Sequence, residues 1–136
     1  MFTHLLFRKD EIIIFDMYAG VEHLGRSTVD FVDAMLIVVE PTIRSFRTAH
    51  QIVKLASDIG VKRFWLIGNK YNYPDDIHFL KENNLGIPLL GTFPTMSSVL
   101  EADRKGISVY DYVPELKSVA VEIALQLKNY FEELTG

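Results

Sequence analysis

Cysteine is absent from the 136 residues. Disulfides, zinc knuckles and thiolate-held iron–sulfur clusters built by this chain alone are therefore excluded. Long apolar runs are absent too. None approaches the roughly 18–20 residues that a membrane-spanning helix needs, so no membrane span is expected. The opening Met1–Arg8 has a short apolar stretch with its charges after it, which does not read as a signal peptide. An excess of positive charge is also missing. Lys and Arg number 14 against 18 Asp and Glu, a net charge of −4, which argues against nucleic acid or an anionic membrane as the main partner. The last absence is chemical: no glycine-rich loop ending in Gly-Lys-Ser/Thr, the cradle of a nucleoside triphosphate, occurs anywhere. The lack of cysteine fits a cytoplasmic protein.

What is present is the material of one α/β domain spanning 1–136. The apolar share of 49% supports a core, and the charged share of 24% is ordinary. Short apolar runs alternate with helical patterns, the signature of a three-layer, mostly parallel sheet. Four runs read as strands buried on both faces: Ile12–Phe15, Met35–Val39, Phe64–Ile67 and Pro88–Phe93. Helices are expected over Ser45–Ile59, Asp75–Asn84, Ser97–Lys105 and Pro114–Leu134. Ser97 would cap the third, and Pro114 would open the last. Residues 1–8 read as the end of a helix feeding the first strand, a hint of truncation.

The candidate sites sit after strands. Asp16 follows Ile12–Phe15, and in open parallel sheets ligands bind outside the carboxyl ends of the strands. A carboxylate there can hold magnesium, usually through water, beside nucleotide phosphates; the plain alternative is a turn cap. Gly20 to Ser27 has phosphate-loop spacing only if Arg26 replaces the lysine. Arginine is a planar fork rather than a compact charge, and Glu22 would bring negative charge towards the phosphates. Gly68-Asn69-Lys70-Tyr71-Asn72 lacks the carboxylate that selects guanine. The Asn69 amide could still meet an adenine edge, although Asn, Tyr and Pro74 also compose an ordinary turn. The four histidines (His4, His23, His50 and His78) show no metal-ligand spacing.

Taken in order, Asp16 to Arg26, Val38-Val39-Glu40-Pro41-Thr42, Ile67-Gly68-Asn69-Lys70, Gly91-Thr92-Phe93-Pro94 and Glu101 to Gly106 resemble a known family. It is the CooC-type accessory ATPases that help insert nickel into carbon monoxide dehydrogenase, within the MinD, ParA and nitrogenase-iron-protein group of P-loop ATPases. The resemblance covers about the second half of a family member. It implies that Asp16 orders magnesium and its waters, that Gly20 is the switch glycine sensing the terminal phosphate, and that Asn69 faces adenine with Lys70 beside it. Pro94 would border the base pocket. The loop carrying Glu22, His23 and Arg26 would couple nucleotide state to dimerisation or partner contact. ATP or ADP with magnesium would be the ligand, and a metalloenzyme the client.

The chain departs from that pattern in lacking the phosphate loop and the family's cysteine pair, and Tyr18 and Met96 stand where acids are frequent. Hydrolysis by the chain alone is therefore not expected. The resemblance further implies that the phosphate-loop strand would lie between Ile12–Phe15 and Met35–Val39. Those two would either pair directly or leave a slot for another polypeptide, a partner chain or a second copy. The rival reading is a catalytically silent interaction module that retains the fold. A receiver-like domain, suggested by Asp16 and Lys70, lacks the acidic pair expected at its first strand.

Overall fold

The computed structural model describes residues 11–17 and 32–135. Among these residues three strands form one parallel sheet: β1 (Met35–Val39), β2 (Phe64–Tyr71) and β3 (Leu89–Pro94), ordered β1-β2-β3. The helices of the described residues, interleaved with the strands and then following them, are α1 (Ile43–Asp58), α2 (Pro74–Glu82), α3 (Ser97–Lys105), α4 (Val109–Tyr112) and α5 (Pro114–Thr135). The α/β class and the parallel sheet are as the sequence implies. The sequence contains no signal from which α4, a single turn, was read.

Each helix has a local cause. The Thr42 side chain accepts a hydrogen bond from the Ser45 N–H at 3.2 Å and caps α1, satisfying a donor that has no intrahelical partner. The Asp76 carboxylate accepts from the N–H groups of Asn72 (2.7 Å) and Tyr73 (3.1 Å), fixing the entry to α2. Ser97 is the first helical residue of α3 rather than its cap; Met96 takes the cap position without a side-chain bond. Gly106, at φ 64°, closes α3 in the left-handed conformation that glycine adopts without a steric penalty.

Pairing sets which residues face which layer. On one face, Ile37, Val39 and Leu66 pack with Phe46 and Ala49 of α1 and Leu80 of α2. Gly68 brings α2 close, because an added Cβ would lie 2.6 Å from Leu80 Cδ1. On the other face, α5 lies over β3, and Trp65 stacks edge-on against Tyr130 and Phe131, with centroids 4.9 and 6.0 Å away. Leu116 and Ile123 of the expected α5 stripe are buried, whereas Leu134 is exposed.

Two strand expectations are corrected. Ile12–Phe15 is not a strand: residues 11–17 are irregular, and Ile12 and Ile14 are 79% and 83% exposed. An apolar run favours a strand only when a neighbouring edge takes up its backbone groups, and among the described residues β1 pairs with β2 alone. Direct pairing of Ile12–Phe15 with Met35–Val39 is thus not observed. Nor is β1 buried on both faces. Leu36 and Val38 share the α5 side with Trp65 and Ile67 in the register, yet Val38 remains 59% exposed, since α5 is centred on β3.

Candidate functional site at the carboxyl ends of the strands

The parallel arrangement collects three strand ends at one lip. Val39 pairs with Gly68, and β2 then runs on beyond β1. On its other side Asn69 pairs with Phe93 and Tyr71 with Pro94, with a register irregularity between them. Asn69, Lys70 and Pro94, up to 25 positions apart in the chain, are therefore neighbours in space. Asn69 and Pro94 are half-buried, and Lys70 is exposed. The Thr95 N–H donates to the Tyr71 carbonyl at 2.9 Å, tying the segment after β3 to the tip of β2.

Lys70 is the extra residue of this irregularity, and it has φ 56°. That left-handed conformation costs an L-residue about 1–2 kcal/mol. Its Nζ lies 2.9 Å from Glu40 Oε1 at the end of β1. Both side chains are open to solvent, 62% and 46% exposed, and such pairs contribute only about 0.2–1 kcal/mol. Glu40 is held in turn: its N–H donates to Ser45 Oγ at 2.9 Å, and its carbonyl accepts from the Thr42 N–H at 2.7 Å. Glu40 was visible in the sequence only as part of a family motif. Its partnership with Lys70 joins positions 30 apart and carries no local signal.

Asp16 lies in the irregular segment, exposed and outside the sheet. Gly20, Glu22, His23 and Arg26 lie outside the described residues. Among the described residues no group of three or more His, Cys, Asp or Glu gathers as a metal site. His50 is exposed on α1, and His78 on α2 meets Glu82 at 3.0 Å. No helix of the described residues is long and apolar enough to cross a membrane. An open recess of about 320 Å³, lined by Trp65, Leu90, Gln126 and Tyr130 among others, lies at the start of β2 and β3 rather than at this lip.

The donor set at the lip suits a planar, polar ligand edge: an amide able both to donate and to accept, a proline rim and exposed backbone.

No family model matches the chain. Curated relatives do. Over 120 residues, 88% of this chain and 46% of the relative, it is 40% identical to the carbon monoxide dehydrogenase accessory protein CooC of Rhodospirillum rubrum. It is 38% identical to the uncharacterized ATP-binding protein MJ0823 of Methanocaldococcus jannaschii over 137 residues, 98% of this chain and 51% of the relative. A second protein of that organism described in the same words, MJ0685, is 35% identical over 127 residues, 88% of this chain and 49% of the relative. The chain spans about half the length of the curated relatives it matches.

Proposed function

We propose, from a chain that resembles the CooC-type accessory proteins over most of its length, that it is the adenine-side part of an ATP-dependent maturation factor for a nickel enzyme. Asn69 would meet the adenine edge, Lys70 would stand beside it, and Pro94 would border the base. Asp16 would order magnesium through water, and Gly20 would respond to the terminal phosphate. The loop of Glu22, His23 and Arg26 would pass that response to a second copy or a metalloenzyme client. The observation that carries the reading is the meeting of Asn69 and Pro94 on adjacent rungs at the carboxyl lip of a parallel sheet. Asn69 fits an adenine edge. The triphosphate lacks its cradle in these 136 residues, so most charge-assisted bonds to it would come from a chain carrying the phosphate loop.

Calorimetric titration with magnesium-ATP tests this, first on the chain alone and then with an added polypeptide carrying a Gly-Lys-Ser/Thr loop. Weak or no binding alone, with saturable binding in the mixture that Asn69→Ala reduces about tenfold, is the expected result. A loss of that size corresponds to about 1.4 kcal/mol. Absence of binding in both arms favours the second reading, a silent interaction module. That reading has its own support in the β1 edge, which lacks a partner among the described residues, and in the exposed Val38 beside it.

A further inference from the structure

The tip of β2 carries a strained residue that is held from both sides. Lys70 adopts φ 56° in the middle of Asn69-Lys70-Tyr71, where β2 has run past its last rung with β1. On the β3 side this tip is held by the Asn69–Phe93 and Tyr71–Pro94 rungs and by the Thr95 N–H on the Tyr71 carbonyl. On the β1 side Lys70 Nζ lies 2.9 Å from Glu40 Oε1. A solvent-exposed ion pair stabilises by less than a left-handed lysine costs. The pair offsets part of that cost, and the β3 rungs with the Thr95 hydrogen bond hold the rest of the tip in place. Strain held by its surroundings points to what the conformation positions, and a bulge re-aims the neighbouring side chain and local twist.

We propose that Glu40 is a positioning residue: acting through Lys70, it steadies the β2 bulge and thereby the orientation of the Asn69 amide at the lip. The chain of support is continuous. Thr42 and Ser45 at the start of α1 hold the Glu40 backbone. The Glu40 carboxylate holds the Lys70 ammonium, and the bulge at Lys70 sets the direction of Asn69. The inference deepens the proposed adenine contact, and its relevance to nucleotide rests on that reading. The orientation of Asn69 does not.

The test therefore has two separate arms. In the first, without nucleotide, the Asn69 side-chain amide is followed by NMR in ¹⁵N-labelled protein, its signal assigned through Asn69→Asp. Glu40→Gln is expected to shift and broaden that signal and to speed hydrogen exchange of the Thr95 N–H, which donates to the Tyr71 carbonyl, by up to about fivefold, the scale of an exposed ion pair. The charge-swapped double variant Glu40→Lys/Lys70→Glu is expected to restore both. Lys70→Gly, which relieves the left-handed strain, is expected to raise the unfolding midpoint while leaving the Asn69 signal displaced. An Asn69 signal identical in wild type, Glu40→Gln and the double variant overturns the proposal. In the second arm, ADP is titrated into the same proteins together with the phosphate-loop polypeptide. A loss of affinity of up to about fivefold in Glu40→Gln, recovered in the double variant, extends the role to the ligand. If wild type binds no ADP, the adenine reading fails, and the positioning role stands or falls on the first arm alone.

Discussion

Gly91 sits beneath α5 with no room for a methyl group. An added Cβ would lie 2.8 and 2.9 Å from Ile123 Cδ1 and Cγ1 and 3.4 Å from Val119 Cγ1. Ile123 is buried and cannot step aside freely. Gly91→Ala should destabilise the fold by about 1–3 kcal/mol, the usual range for overpacking, read as a lower urea midpoint. Combining it with Ile123→Val, which removes the Cδ1 carbon, should cost less than the sum of the two single changes, because the sites share one contact. The sequence showed Gly91 as a motif residue; the helix that presses on it lies some thirty positions later. The same holds for Lys70. Its ammonium was legible as a site candidate, whereas its left-handed backbone and its Glu40 partner arise only once β2 outruns β1.

At the scale of elements, α3 and α4 are joined by an exposed polar tie. Lys105 Nζ lies 2.7 Å from Glu101 Oε1 and donates to Tyr112 Oη at 3.1 Å. The hydrogen bond from Lys105, and after it that of Tyr112, holds the Glu101 carboxyl below its ordinary 4.5. The hydrogen bond to Glu101, followed by Tyr112, raises Lys105 above its ordinary 10.5. The signs follow from linkage. The contribution of Glu101 is present above 4.5 and is lost as pH falls through its lowered value. That of Lys105 is present below 10.5 and is lost as pH rises through its raised value. Thermal midpoints of wild type and Glu101→Gln should therefore differ by a constant amount across neutral pH and converge on both the acid and alkaline flanks. Added salt should shrink the difference, as both groups are exposed. This tie was half legible: Glu101 and Lys105 are four apart on a helical pattern, but Tyr112 joins them only because Gly106 turns the chain back.

For the whole molecule, the consequential feature is an asymmetric sheet. Among the described residues one face is sealed by α1 and α2, and the other is covered by α5 over β3 and Trp65, with Val38 of β1 exposed. An edge strand with Leu36 and Val38 exposed invites non-specific association. Val38→Lys should lower concentration-dependent light scattering while leaving the circular dichroism spectrum and unfolding midpoint nearly unchanged, because Val38 is not part of the core. An unchanged scattering profile would assign any self-association to another surface.

Much of the architecture was legible because it is written in local period and capping chemistry. Met35–Val39 is a strand with the expected bounds. The helix expected over Ser45–Ile59 forms over Ile43–Asp58 with Phe46, Ala49 and Ala56 turned inward, its Thr42 cap unforeseen, and Pro114 opens a long helix with an apolar stripe. Such signals need only neighbours within a few residues. The Ile12–Phe15 run shows the limit of that reasoning: its composition is that of a strand, but a strand exists only where another edge accepts its hydrogen bonds. Tertiary structure alone decided that Asn69 would stand beside Pro94, that Glu40 would reach Lys70, and that Val38 on β1 would remain exposed. Each of these depends on the register and overhang of strands distant in sequence, which no local pattern encodes.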